Sequence, residues 1–333
     1  MFTKKPIKIC SREAILVEGL GNYSLSDTLE CGQCFRFVKL SPSETGEDNE
    51  VGIEYPGYTE YMTIVGKTLI FVGQRNRSEL IFYGVTEREF EDICVPYFAL
   101  DVDYEEIKND VLSHTDSPFL KEAAETASGI RILKQEPWET LFSFIISQNN
   151  NIPRIKKIIR AISLAYGDNL ALSRGLSLCP KTACQNVKNG EKLNTDACLE
   201  CGACYTFPSA EAVCGDPEKL LPSHPGFRYK YLTDAALKVT NGEISFDEII
   251  KKSSYDFTIG ELMKVKGVGE KVASCTSLFA FSNLEAFPID VWMKRAIDEY
   301  FDGQLDHKSL GKYAGVAQQY IFHYIRQLTL QGK

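Results

Sequence analysis

Nowhere in this sequence do apolar residues run on for the roughly 20 positions that a bilayer-spanning helix needs, so a helical membrane protein is not expected. The opening residues, Met1-Phe2-Thr3-Lys4-Lys5-Pro6, have none of the apolar stretch that directs secretion, and a cytoplasmic location is the expectation. Disulfides are rare in such a reducing compartment. A cationic excess is missing too: 45 Asp and Glu against 37 Lys and Arg leave a formal charge of −8 at pH 7. That balance counts mildly against nucleic acid, whose phosphates draw on Lys and Arg. It also makes the distribution of charge more informative than its total.

With 333 residues and 44% hydrophobic composition, the chain is long enough to bury a sizeable core in two or three domains. Acidic residues gather between Glu44 and Glu54, in what reads as an exposed loop. Arg154, Lys156, Lys157 and Arg160 share a short helical stretch, and Lys264, Lys266 and Lys271 surround a Gly-Val-Gly break. A basic face on an acidic protein is therefore expected.

Short apolar or alternating runs broken by turn residues fill the chain from Ile15 to about Phe98. Phe35-Arg36-Phe37-Val38, Tyr61 to Val65 and Thr68 to Val72 read as antiparallel strands, with Gly66-Lys67 as a hairpin turn. Cys31-Gly32-Gln33-Cys34 has the spacing of a metal knuckle or a redox pair, but no second cysteine pair lies near it. Strand alternation would set Cys34 and Arg36 opposite Phe35 and Phe37, so the two cysteines read as small, half-buried residues of a strand.

From about Asp103 helical patterns take over. Pro137 opens an apolar stretch, Trp138 to Ser147, suited to a central buried helix. Asn149-Asn150-Asn151 then makes a turn and N-cap before a basic amphipathic helix from Pro153. Further on, apolar residues at 259, 262, 263 and 265, and again at 268, 272, 275, 278 and 279, give helical periodicity on both sides of Gly267-Val268-Gly269. The pattern is a helix, a tight turn and a second helix. N–H groups left unpaired at the start of the second helix, helped by its dipole, suit a phosphate even without a basic side chain. Lys271 falls in the first turn of that helix, and Asp290 heads another amphipathic helix after a proline-bearing loop. Taken singly, such a lysine is usually solvated and such an aspartate is usually an N-cap.

Of eleven cysteines, five fall between 179 and 204, which points to metal before disulfides. Cys179-x4-Cys184-x13-Cys198-x2-Cys201 suits tetrahedral zinc, and Gly202 permits the tight knuckle after the second pair. Cys204 is an alternative ligand that could replace Cys198. The intervening residues are polar and form little core of their own, so a structural zinc would supply folding energy. An iron–sulfur cluster is the second reading and free thiols the third.

Together, the segments Leu262 to Cys275 and Phe287 to Val291 resemble the helix-hairpin-helix DNA glycosylases, whose bifunctional members pair a lysine nucleophile with an aspartate. Cys31 to Phe37, Gly129 to Pro137, Ser147 to Arg154, Pro225 to Tyr231 and Tyr313 to Phe322 extend the resemblance, in order, to the 8-oxoguanine DNA glycosylase family.

The resemblance implies an α+β fold: an N-terminal antiparallel sheet domain of TATA-binding-protein-like form, residues 1–115, packed on an all-α glycosylase domain, residues 116–333. The helix-hairpin-helix would lie at about 255–281 and a Cys-rich insertion at about 174–206. It implies a monomer acting on double-stranded DNA with oxidised guanine opposite cytosine, located with the nucleoid or in the nucleus, and needing no cofactor for catalysis.

On that resemblance Lys271 would attack C1′ as a neutral amine, aided by desolvation or by Lys264 and Lys266, and Asp290 would stabilise the sugar's developing charge. Gly32 would offer its carbonyl to the N7 hydrogen that 8-oxoguanine has and guanine lacks. Gln318 would meet the base edge, with Phe322 and Cys275 on its two faces. Asn149 would fill the hole left by the extruded nucleotide, Arg154 and Arg228 would hydrogen-bond the stranded cytosine, and Phe227 would wedge the duplex. Taken alone, Phe227 reads as an aromatic packed into the core at a helix start. Gly267 and Gly269 would carry the phosphate-facing N–H groups. Trp292 stands near phosphate where the family often has a histidine, a departure from the family's pattern. Adenine-mismatch or thymine-glycol glycosylases share the hairpin, but many carry four cluster cysteines after the aspartate, and here none follows Cys275. A non-catalytic DNA-binding module is the remaining alternative.

Overall fold

β-Branched and aromatic residues at alternate positions favour strands that can pack on both faces, and the first quarter of the chain is built that way. The computed structural model describes residues 2–9, 12–40, 58–170, 202–330 and 332. β1 (Thr3–Ile9), β2 (Arg12–Glu18), β3 (Phe37–Leu40), β4 (Thr59–Val65), β5 (Thr68–Asn76) and β6 (Glu79–Tyr83) form one sheet in the order β1-β2-β6-β5-β4-β3. Every pairing is antiparallel. The Gly66-Lys67 turn joins β4 to β5, with Gly66 at φ +58°, in the left-handed region that such a turn demands.

One face of the sheet, with Val17, Tyr61, Ile70, Val72, Leu80 and Phe82, buries itself against the helical stretch 87–97 and Leu133. The other face, with Met62, Ile64, Leu69, Phe71 and Ile81, packs with Leu170 and Cys204. Leu170 precedes the Cys-rich stretch and Cys204 is its last cysteine, and the segments around them pair with each other. Leu170 N donates to Cys204 O at 2.9 Å and Thr206 N to Asp168 O at 2.9 Å, while Asn169 and Tyr205 form a β-bridge.

The rest of the described chain is helical. Pro137–Ser147 is the expected central helix, with Glu136 as its N-cap and Trp138, Leu141, Phe142, Phe144, Ile145 and Ile146 all buried. Each such side chain contributes about 1.5–3 kcal/mol when fully removed from water. Phe144 stacks on Phe279 of the Glu270–Phe281 helix, ring centroids 5.5 Å apart. The closing helix Ala314–Leu330 lies against Pro118–Ala127.

Sheet and helices meet through the belt 129–137. Gln33 is fully buried: its amide donates to Arg131 O at 2.7 Å and its oxygen accepts from Leu133 N at 2.8 Å. Gln135 donates to Gln33 O at 2.7 Å through its side chain and to Phe279 O at 2.8 Å through its backbone. Arg36 and Glu139 form a largely buried ion pair at 2.8 Å. The architecture is α+β, with an antiparallel sheet at the N-terminal end and a helical body beyond it.

The strand expected at Phe35 begins two residues later, at Phe37. Gly32 sits at φ +93°, and the chain from 31 to 36 is irregular. Period-two alternation therefore fails there: Cys34 and Phe37 enter the same core against the sheet, while Phe35 joins the helical core. Cys31 and Cys34 are fully buried rather than half-buried, with thiols donating to Thr28 O and Leu29 O at 3.3 and 3.6 Å. Burial pushes the Cys31 thiol up to about 11 and Cys34 higher still, which suits neither metal binding nor redox exchange.

Candidate active site

Two helices, Tyr255–Leu262 and Glu270–Phe281, flank a tight turn. Gly267 has φ +78°, and a Cβ there would lie 2.5 Å from the Tyr231 ring, so both backbone and space call for glycine. Gly269 is the N-cap of the second helix and offers no side-chain cap to the first-turn N–H groups. The turn is held from below: Lys266 N donates to Asp234 Oδ2 at 2.7 Å, and Gln148 Nε2 to Gly267 O at 2.7 Å. Lys264 is paired with Glu261 at 2.6 Å.

Lys271, one residue into the helix, is half-buried, with its Nζ 5.2 Å from the centre of the Phe144 ring. Four residues on, and therefore on the same helical face, Cys275 is buried. Burial pushes its thiol up, as does the charge of Asp290, while the nearby Lys271 ammonium opposes both. Lysine, thiol and carboxylate thus share one electrostatic neighbourhood. Asp290 is an N-cap: its Oδ1 accepts from Trp292 N and Met293 N, both at 2.9 Å. The cap fixes the carboxylate's orientation and leaves Oδ2 outside those bonds.

Above this cluster, Gln318 is buried and donates to Pro288 O at 3.2 Å, two residues before Asp290, while its oxygen accepts from Gln319 at 2.6 Å. Phe322, one turn on, comes within van der Waals reach of Gly32: a Cβ on Gly32 would lie 3.9 Å from its Cε1 and 3.7 Å from Ile152 Cδ1. Arg326 lies over the Phe322 ring at 5.3 Å and donates to Cys31 O at 3.4 Å, which locks the Gly32 loop to the closing helix. The sequence reading missed Gln33, Gln135 and Arg326. A polar side chain inside an apolar segment was the only available signal.

A second group surrounds the hairpin. Asn149 is exposed at φ +47°, a strained backbone for a non-glycine residue. Phe227 is 48% exposed on a short 3-10 turn, Gly226–Arg228, so it does not pack into the core. Arg228 is only 2% exposed. It donates to the carbonyls of Gln148, Asn149 and Pro225, the last two at 3.0 and 3.2 Å, and lies over the Phe227 ring at 4.4 Å. Arg154 is exposed, and its charge acts on Arg228 in addition to desolvation.

The basic face has one member fewer than expected. Lys156 turns inward over the Phe37 ring, Nζ 3.3 Å from its centre, and burial lowers its pKa to about 8, with Arg160 pressing the same way. A lysine depressed on folding penalises the folded state fully below pH 8, and the penalty fades between 8 and 10.5 as only the unfolded chain stays protonated. Lys156→Met should therefore raise stability near pH 7 by on the order of 1 kcal/mol after screening. Thermal melts from pH 7 to 10.5 should show the gain shrinking; a gain that grew with pH would be the wrong sign.

Of the cysteine ligand candidates, Cys179, Cys184, Cys198 and Cys201 lie outside the described residues, as does Glu44 to Glu54. Cys204 is described. It is buried in the apolar cluster on the sheet, its sulfur 3.9 Å from Met62 Sδ.

Residues 15–141 match the family described as 8-oxoguanine DNA glycosylase, N-terminal domain. An N-glycosylase/DNA lyase of Saccharomyces cerevisiae is 30% identical over 290 residues, a match spanning 81% of this chain and 66% of the yeast protein. Among solved structures, the Clostridium acetobutylicum 8-oxoguanine glycosylase/lyase, in complex with duplex DNA containing cytosine opposite 8-oxoG, is 30% identical with a TM-score of 0.74, covering 98% of both chains. A protein called MBOgg1, solved with a low-affinity DNA ligand, is 31% identical with a TM-score of 0.75 over 100% of both chains. The class these relatives define is that of DNA N-glycosylases with lyase activity. Within it, this chain belongs to the 8-oxoguanine DNA glycosylase family.

Proposed function

We propose that this protein removes 8-oxoguanine from duplex DNA opposite cytosine and then nicks the strand. The observation that carries the reading is the meeting of Lys271 and Cys275, on the helix that follows the Gly267 turn, with Asp290, the N-cap of the helix Val291–Tyr300. A glycosidic bond inside a duplex is hidden, so the nucleotide is flipped out first. Lys271, as a neutral amine, attacks C1′; the C1′–N9 bond breaks and the base leaves with a proton. The C1′–O4′ bond then breaks, the amine's proton passing to O4′, and the opened sugar is held as a Schiff base; this acidifies the C2′ hydrogen, and loss of that proton expels the 3′ phosphate by β-elimination. Asp290, held by its two cap bonds, faces the positive charge that builds on the sugar.

In the same reading Gly32 and Gln318 meet the base edge, Cys275 and Phe322 its faces, and Asn149 and Phe227 the gap and wedge. Arg154 and Arg228 meet the cytosine, and the amides of Gly267 and Gly269, with Trp292 nearby, face phosphate. The fold is then a TATA-binding-protein-like sheet domain, 1–115, on a helix-hairpin-helix domain, 116–333. The enzyme works as a monomer without a catalytic cofactor.

Excision measured across a panel of lesions and opposite bases tests the proposal. Fastest release of 8-oxoguanine opposite C supports it; another preferred lesion, or binding without release, replaces it. Arg154→Ala should lower preference for C over A by about 1–3 kcal/mol, and an unchanged preference removes Arg154 from opposite-base reading.

Cys179, Cys184, Cys198 and Cys201 are proposed to hold a structural zinc. Metal analysis of protein purified without added metal should find zinc near one per chain; iron with visible absorbance, or no metal, overturns the assignment.

A further inference from the structure

Gln148 joins three loops that the proposed reaction needs together. Its side-chain amide donates to Gly267 O at 2.7 Å, at the hairpin. Its own carbonyl accepts from Arg228, whose Nε lies at 2.9 Å and whose Nη2 reaches both Gln148 O and Asn149 O. Tyr231 closes the ring of contacts: it lies hard against Gly267 and meets Phe227 edge-on, centroids 6.0 Å apart. Asn149, the next residue, keeps its left-handed backbone inside this ring.

We infer that Gln148 is a positioning residue that couples the phosphate-facing hairpin to the Asn149 loop, so that docking of the backbone and support of an extruded nucleotide occur as one event. This rests on the function proposed above. The Gly267 carbonyl lies two residues before the N-cap of the helix that carries Lys271. A donor fixed on that carbonyl therefore sets the height of the hairpin relative to Asn149. Arg228 alone holds the backbone of 148 and 149 but makes no bond to the hairpin among its described contacts. Without the Gln148 amide, the two loops keep their own folds and lose their register with each other.

Gln148→Glu and Gln148→Ala in the full chain test this. Glutamate keeps the length of the side chain but cannot donate to Gly267 O. In the DNA-free protein, both variants should speed amide hydrogen exchange across 263–271 and leave the melting temperature unchanged. Single-turnover excision opposite C should fall about tenfold, the scale of one lost hydrogen bond. Borohydride trapping on a duplex that already holds an abasic site should be retained, because no base has to be extruded.

Wild-type exchange and excision in Gln148→Glu would overturn the inference. Parallel losses of excision and abasic-site trapping would overturn it as well, since they make Gln148 a general structural residue. If the wild type fails to excise 8-oxoguanine while the variants still loosen the hairpin and weaken binding to undamaged duplex, the substrate assignment fails and the coupling stands.

Discussion

Lys271→Gln is expected to abolish excision, by roughly a thousandfold or more, as removing a covalent nucleophile does, and to eliminate the borohydride-trapped complex. The fold should survive. Glutamine has a helix propensity close to that of lysine, its stem can keep the contact with Phe144, and Lys271 is in no ion pair within 4.0 Å among the described residues. DNA binding should survive too, because the hairpin amides are backbone groups. A trapped complex that persists in the variant would move the nucleophile elsewhere. Loss of both trapping and DNA affinity would make Lys271 a phosphate contact instead. Asp290→Asn separates the cap from the proposed charge-stabilising role of that carboxylate: the amide oxygen can still cap Trp292 and Met293, so stability should hold while the chemical step slows.

The paired helices, the central apolar helix and the β4–β5 hairpin were legible because each rests on a local signal: helical or two-residue periodicity, a glycine needing positive φ, a proline opening a helix. The stretch 31–36 was not legible. Its sequence has the alternation of a strand, but Gln33 is drawn out of any ladder by bonds to Thr28, Arg131 and Leu133, the last two about a hundred residues away. No local pattern carries that information.

Side-chain destinations were also only partly legible. Lys156 and Arg154 are neighbours on the same amphipathic helix, yet one lies on the Phe37 ring and the other is exposed. Sequence gives the helix and its cations, but which cation meets the sheet depends on how the sheet docks. Phe227 shows the reverse. Its residue type predicts burial, and its exposure follows from the short turn that lifts it away from the helix below, where Tyr231 and Arg228 take the adjoining places.

Arg228 is where sequence and structure diverge most, and its replacement has the second large expected effect. Its sequence context points to a DNA contact, but in the DNA-free chain it is buried and bonds three backbone carbonyls. Arg228→Ala leaves those carbonyls without their charged donor, at a cost of about 2–4 kcal/mol. For a chain of this size that lowers the melting temperature by roughly 5 °C. Arg228→Lys, a single point charge in place of a planar fork, should recover only part of the loss. Arg154→Ala, at an exposed position, should leave the melting temperature where it is. Because Arg228 can reach a cytosine only by releasing some of these carbonyls, the two roles make different demands on one variant. A normal melting temperature in Arg228→Ala would refute the internal role. A lowered melting temperature with full preference for C over A would refute the cytosine contact, leaving Arg154 as the reader and Arg228 as the residue that holds the Gln148–Asn149 backbone in place.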